Sequence, residues 1–299
     1  MNQLLEVTYY YHSGFSCAMG DVLCIFDYWR GEHGELPEEE RITPEYLSCF
    51  REVYVFVSHS HPDHADPEVF TWYKTVPMAY IVSYEMPIGT RGRRMSPGDT
   101  VKLSDHVTVT AFDSTDLGVS YLLEIDGVRV FHAGDLNFWH WREESTAKEI
   151  AEAEQDFHTA VAPLTKEPID VAFFPIDPRQ GRLFDAGVNY FIMSVKPRLL
   201  IPMHFWSRAE VATEFARRAR CRQTEVIAMT RPGERLRLEF DEDNFMTINM
   251  FVPQSRAAGP FGVGVGEDQQ VDLQDYEEDP FADTDLPVHL NDPDAPTEE

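Results

Sequence analysis

The apolar run VYVFV, residues 53–57, stops abruptly against SHSHPDHAD, residues 58–66. A buried strand that ends in three histidines and two aspartates cannot lead on into a core, because unpartnered ionisable groups are costly there. The chain must bring this strand end to an edge where those side chains meet something polar or cationic. His59, His61, Asp63 and His64 form the pattern H-x-H-x-D-H. If the strand direction persists, His59 and His61 point the same way. A turn at Pro62 then sends Asp63 and His64 to a second point. Imidazoles with a carboxylate suit zinc, manganese or iron rather than calcium or a thiolate site. One loop can thereby serve two ions about 3.5–4 Å apart. The competing reading, a polar loop with chance histidines, does not account for four ligand-type residues in six positions.

Short β-branched and aromatic runs read as strands: LLEVTYYYH, DVLCIFDYW, VYVFVSH, MAYIVS and TVKLSDHVTVTAFDS. SYLLEI and VRVFHAG bracket Asp126-Gly127, a two-residue hairpin signal. The period then changes. Over 143–164 the apolar residues Ile150, Ala153, Phe157 and Val161 fall on one helical face. DVAFFPI and RLLIPMHF read as buried strands, with a helix near 187–195 between them. SRAEVATEFARRAR reads as a helix with Ser207 as N-cap and Glu210 completing a capping box. TEVIAM and ERLRLEF read as the last strands. Meanders followed by β/α alternation predict an α/β fold in which two sheets pack face to face with helices outside, a four-layer αββα sandwich. That domain is expected over 1–253. Residues 254–299, with 13 acidic side chains against Arg256 and many Gly and Pro, are expected to form a disordered acidic tail.

The 299-residue chain carries a formal net charge of −27, from 52 acidic and 25 basic residues. Such a surface repels phosphate backbones, so nucleic acid is not the expected partner. Cys17, Cys24, Cys49 and Cys221 show no C-x-x-C spacing and read as core packing. The start lacks a signal-peptide pattern and no run is long enough to span a membrane, which predicts a cytoplasmic protein. The sequence sets no expectation for the oligomeric state.

On the motif H-x-H-x-D-H, the chain resembles the metallo-β-lactamase fold superfamily of metal-dependent hydrolases over residues 1 to about 245. It looks closest to the lactamase-B-2 branch, with its ascorbate-6-phosphate lactonase-like and phospholipase-like members. The resemblance implies the same αββα sandwich. It also implies further ligands: Asp135 in VFHAGDLN as a bridging aspartate, and His204 in IPMHFW as the last histidine. By that analogy His59 and His61 hold one ion, Asp63, His64 and His204 the other, and Asp135 joins them. One position departs. Ser114, in DSTDLGVSY, stands where the family has a histidine. Asp116, two residues on, is the first substitute ligand and Asp113 a weaker one; the first site is otherwise weak or empty.

His12, His132 and His140 are each candidates to orient a ligand, replace the missing imidazole or carry a proton. Their plain alternative is a buried histidine with a backbone partner. Trp139, Trp141 and Trp206 read as core or as pocket walls. Arg91, Arg93 and Arg94 read as a solvated loop, with attraction of an anionic substrate as the functional alternative. The reading is a metal-dependent hydrolase using one or two divalent ions, zinc first and manganese or iron as alternatives. In it a metal-bound hydroxide attacks a lactone, ester or phosphoester of a small metabolite, with Asp63, His132 and His140 as catalytic candidates. A nuclease-type phosphodiesterase, a di-iron oxidoreductase and a non-catalytic metal-binding protein are the alternatives.

Overall fold

A computed structural model describes residues 3–141, 144–219, 221–242 and 244–251. The expected acidic tail lies outside the described residues. Two mixed sheets form the frame. The first contains β1 (Gln3–Tyr9), β2 (Phe15–Met19), β3 (Val22–Phe26), β4 (Glu52–Val57), β5 (Ala79–Ser83) and β6 (Arg93–Met95). The second contains β7 (Thr100–Lys102), β8 (Val107–Phe112), β9 (Ser120–Ile125), β10 (Val128–His132), β11 (Val171–Pro175), β12 (Leu199–Met203) and β13 (Glu225–Val226). The chain then returns to the first sheet as β14 (Arg235–Phe240) and β15 (Met246–Phe251). Strand order is β15-β14-β1-β2-β3-β4-β5-β6 in one sheet and β13-β12-β11-β10-β9-β8-β7 in the other. In each, an antiparallel half is joined to a parallel half, β3–β6 and β10–β13.

Alternation along each strand assigns the layers. On β4, Tyr54 and Phe56 join the core between the sheets, whereas Val53, Val55 and Val57 face the other way into a second apolar cluster. Phe173 of β11 stacks on Phe15 of β2 across the interface, centroids 4.3 Å apart. Its neighbour Phe174 points outward and stacks on Phe191 at 4.5 Å. Phe191 belongs to α3 (Ala186–Val195), which covers the second sheet with α2 (Ala147–Val161) and α4 (Ala209–Arg218). The first sheet's outer face is covered by one-turn α1 (Pro44–Leu47) and by a 3-10 segment, Pro67–Lys74, that inserts Val69 and Trp72. The sandwich therefore has the expected layers, with one outer layer made mostly of irregular helical turns.

Asp126 and Gly127 take φ of 48° and 92°, the two positive values a tight twisted hairpin needs. Helix α2 is closed by a capping box, but on Thr146 and Glu149. The box expected at Ser207 does not form: α4 begins after Arg208 with no side-chain cap, and Glu210 pairs with Arg208 instead. Strands β2, β6 and β15 were not expected from the pattern. Cys17 and Cys24 face each other across β2–β3 in the core, where burial pushes both thiols up. Cys49 departs from the core reading, being exposed beside Glu45. No helix of the described residues is long and apolar enough to cross a membrane.

Phe173 is fully buried between the sheets. Phe173→Ala is expected to lower stability by about 3–5 kcal/mol. Urea unfolding checks this through a lower midpoint at an unchanged slope. A loss below about 1 kcal/mol would show that the sheets do not pack through this ring.

Candidate metal centre

Strands β1, β3 and β4 end at one edge of the first sheet, as β8, β10, β11 and β12 do in the second. The turns that follow carry His12, Asp27, the 59–64 motif, Asp116, Asp135, Asp177 and His204. Crevices beyond the carboxyl ends of parallel strands are where open α/β sheets place ligands. The two edges are tied together by backbone contacts. The His204 N–H donates to the His12 carbonyl at 3.2 Å, and the Val119 N–H donates to the Ser58 carbonyl at 3.1 Å. Gly118 (φ 79°) makes the second approach possible, since a Cβ there would run into the Ser58 carbonyl and the His59 side chain.

The histidines are held by their far nitrogens. Asp27, fully buried, accepts from the Ser58 N–H (2.8 Å), the Ser58 hydroxyl (2.6 Å) and His64 Nδ1 (2.7 Å). The Ser58 oxygen in turn accepts from His59 Nδ1 at 2.9 Å. Asp177 accepts from His204 Nδ1 at 3.1 Å. Each anchor fixes the tautomer and turns Nε2 toward the centre, as in carboxylate–histidine–metal arrangements; His59 Nε2 there also meets His61 Nδ1 at 2.9 Å. The free atoms have no other use: His12 Nδ1 and Nε2, His64 Nε2, His204 Nε2 and Asp135 Oδ1 are buried and make no hydrogen bond among the described residues. Buried imidazole nitrogens and a carboxylate oxygen left without hydrogen bonds and converging on one space fit a cation.

They fall into two groups whose ligand atoms lie within 4.8 Å of one another: His59, His61, Asp116 and Asp135, and His12, Asp63, His64 and His204. Asp135 spans them, with Oδ2 3.4 Å from His59 Nε2 and Oδ1 at 3.1 Å from His64 Nε2 and 3.3 Å from His204 Nε2. In the second group Asp63 Oδ2 is 3.2 Å from His12 Nε2 and 3.9 Å from both His64 and His204 Nε2. Without a cation the cluster balances itself by proton sharing. Burial disfavours a charged His64, but Asp135 and Asp27 on either side outweigh it and hold its pKa well above the ordinary value. Burial lifts Asp63 and Asp135, yet the surrounding histidines keep both carboxyls well below the usual range. Burial, then the neighbouring His204, lowers His12 to about 3 against the opposing pull of Asp63, so its ring is neutral and able to ligate.

All six expected ligands, His59, His61, Asp63, His64, Asp135 and His204, come together here. Asp116 joins His59 and His61, 3.6 Å from His61 Nδ1, in the group that lacks the third histidine. Ser114 does not enter the group; its Oγ accepts from the Asp116 N–H at 3.4 Å and shapes that turn. His12 joins the second group instead of filling the vacancy in the first. His132 is placed apart from both groups. Its Nε2 donates to the Ser13 carbonyl (2.9 Å), its Nδ1 accepts from Gly134 N–H, and its ring lies flat on Phe26 at 5.1 Å. Both nitrogens are thus occupied in packing, which corrects its candidacy as a catalytic residue. His140 is also outside the groups: its Nδ1 meets the Phe138 carbonyl and Gln180, while its buried Nε2 makes no hydrogen bond among the described residues.

Asp27, Asp177 and Arg179 were missed by sequence reasoning. Arg179 grips Asp177 through Nε, at 3.0 and 2.9 Å from its two oxygens, and through Nη2. Its guanidinium lies over Trp206 at 4.7 Å. Trp206 packs against His12, and Trp139 meets His204 edge-on and donates Nε1 to the Asp135 carbonyl at 2.7 Å, so both tryptophans wall the centre. Arg94 is spent on the carbonyls of Tyr84, Met86 and Pro87, and Arg91 lies over Tyr73. That basic run pins the loop after β5.

No family model matches the chain. It is similar to the UPF0173 metal-dependent hydrolase of Thermococcus onnurineus, 29% identical over 206 residues that span 62% of this chain and 81% of the relative. A Pyrococcus furiosus protein of the same description is 27% identical over 207 residues, 62% of this chain and 80% of that one. Among solved structures, Igni18, a metallo hydrolase from Ignicoccus hospitalis, superposes with a TM-score of 0.58 at 20% identity, covering 80% of this chain and all (100%) of that one. The metallo-β-lactamase fold protein YhfI from Bacillus subtilis gives 0.51 at 12% identity, over 79% and 99% of the two chains.

Asp27→Asn places an amide where three donors converge and cannot hold His64 in its present tautomer. Metal affinity is expected to fall roughly 10–100-fold, read by competition with a chromogenic chelator. Unchanged affinity would show that His64 needs no such anchor.

Proposed function

We propose that this chain, a metal-dependent hydrolase of the metallo-β-lactamase fold superfamily, cleaves a lactone, ester or phosphoester of a small metabolite at a two-ion centre. The observation that supports two ions is the sharing of Asp135 between two separate four-residue groups. Charge points the same way. Asp27, Asp63, Asp116, Asp135 and Asp177 surround the histidines, Arg179 offsets one of these five negative charges, and two divalent ions would balance the rest.

His59, His61, Asp116 and Asp135 would hold one ion; His12, Asp63, His64 and His204 would hold the other against Asp135. Bound divalent ions supply a water of lowered pKa and polarise the substrate's oxygen. The protein's own part is orientation. Asp27, Ser58 and Asp177 fix the imidazole tautomers, and Trp139 and Trp206 limit the approach of water. Asp63, 17% exposed beside the buried His12, is the carboxylate of the second group that reaches solvent, where it would be placed to pass a proton between a metal-held water and the solvent. Zinc suits the histidine-rich second group; the first, with two carboxylates, suits manganese or iron as well. The loops at the mouth carry Glu85, Asp113 and Asp116, which argues against a polyphosphate strand as substrate.

Two equivalents of metal are expected in the wild type and one in Asp116→Ala, with hydrolysis reduced at least about 100-fold. Ser114→His should leave affinity flat or lower, because Asp116 already fills the position beside His61. Metal titration with elemental analysis checks both. A tighter first site in Ser114→His would sink the assignment of Asp116.

A further inference from the structure

We infer that Arg179 is the seat for an anionic group of the substrate, a carboxylate or phosphate separated from the scissile bond by a short spacer. The inference rests on the hydrolase reading in taking the bound molecule as substrate. The loops around the centre are acidic, so an anion needs a fixed cation to enter. Arg179 is such a cation. Asp177 holds its Nε and Nη2 edge, and Trp206 supports its face at 4.7 Å, with Trp141 further off at 5.8 Å. A guanidinium locked on two sides loses little freedom when it binds. Its Nη1 donates to no group among the described residues, and the side chain is 52% exposed.

Its place relative to the chemistry is set by one atom. Asp177 Oδ2 accepts from His204 Nδ1 at 3.1 Å and also from Arg179, so the guanidinium sits one residue out from a ligand of the second group. An acid whose other end occupies the centre can therefore reach Nη1 within the length of a small molecule. A neutral ester would gain nothing there. Arg91, Arg93 and Arg94 are replaced in this role, since Arg91 and Arg94 are engaged in holding their own loop.

The test is calorimetric titration of the zinc-loaded protein with acetate and with the dicarboxylates from malonate to adipate, comparing wild type, Arg179→Met and Arg179→Lys. Acetate reports the centre alone. At least one dicarboxylate should bind the wild type roughly tenfold more tightly than acetate. Arg179→Met should erase that advantage, bringing the ratio of dicarboxylate to acetate affinity measured in the same variant down to about one, and Arg179→Lys should keep part of it, having the charge without the fork. The inference is overturned if no dicarboxylate outbinds acetate. It is equally overturned if Arg179→Met weakens acetate and dicarboxylates alike, because Arg179 then acts through Asp177 on His204. Ester hydrolysis is read separately: a protein that discriminates dicarboxylates yet cleaves nothing supports the anion seat and counts against the hydrolase reading.

Discussion

A fully buried carboxylate, Asp27, is the contact on which the centre depends. It closes the end of β3 onto the end of β4 by accepting from the Ser58 N–H and hydroxyl, and it takes the Nδ1 proton of His64 on its other side. An ionised carboxyl in such a place is tolerated only with its lone pairs filled by short, charge-assisted bonds. Through Ser58 the same carboxylate also orients His59, so one side chain sets a histidine in each of the two ligand groups. Asp177 does the corresponding work in the second sheet for His204.

Backbone strain gathers at the same edge. His12, Asp27, His204 and Trp206 all take positive φ, from 39° to 64°. The left-handed region costs a non-glycine residue about 1–2 kcal/mol. The chain sustains it where the sheets are already fixed to one another by Phe15 on Phe173 and by the Tyr121 hydroxyl donating to the Val57 carbonyl at 3.1 Å. A well-packed frame thus holds turns that would relax in isolation, and the ligand atoms stand in place before any cation arrives.

The sequence made some of this legible and hid the rest for physical reasons. H-x-H-x-D-H could be read because its ligands lie on one loop and its strand is marked by five consecutive apolar residues. Asp135 and His204 became readable only by their register with the family pattern. Asp27 in FDYW and Asp177 in PIDPR look like ordinary strand-end aspartates; their role is created by partners 31 and 27 positions away. His12 was visible as a histidine at a strand end, but which ion group it would join depends on how the sheets meet. The missed strands follow the same logic. β6 is the charged tripeptide RRM, recognisable only by pairing with β5, and β2, FSCAM, lacks β-branched residues. At α4 the misreading was local: Ser207 and Glu210 match a capping box, but Arg208 captures Glu210 first.

The two ligand groups differ most in their access to water, and that difference organises the site. His12, His64 and His204 are buried with only Asp63 part exposed, whereas His61 and Asp116 in the other group are 42% and 39% exposed. Exposed ligands are shared with solvent, so a cation there would exchange more readily than one enclosed by histidines. The replacement of an expected histidine by Ser114 and Asp116 pushes in the same direction, since it exchanges a neutral nitrogen ligand for a part-exposed carboxylate on a turn. Asp135 prevents the groups from becoming independent. Its two oxygens face different groups from a backbone held by Trp139 and by the tight turn at Gly134, so an ion in the enclosed group would fix the carboxylate that the open group also uses. In the two-ion reading the enclosed group would be the anchor, and the open one the face turned to solvent and substrate.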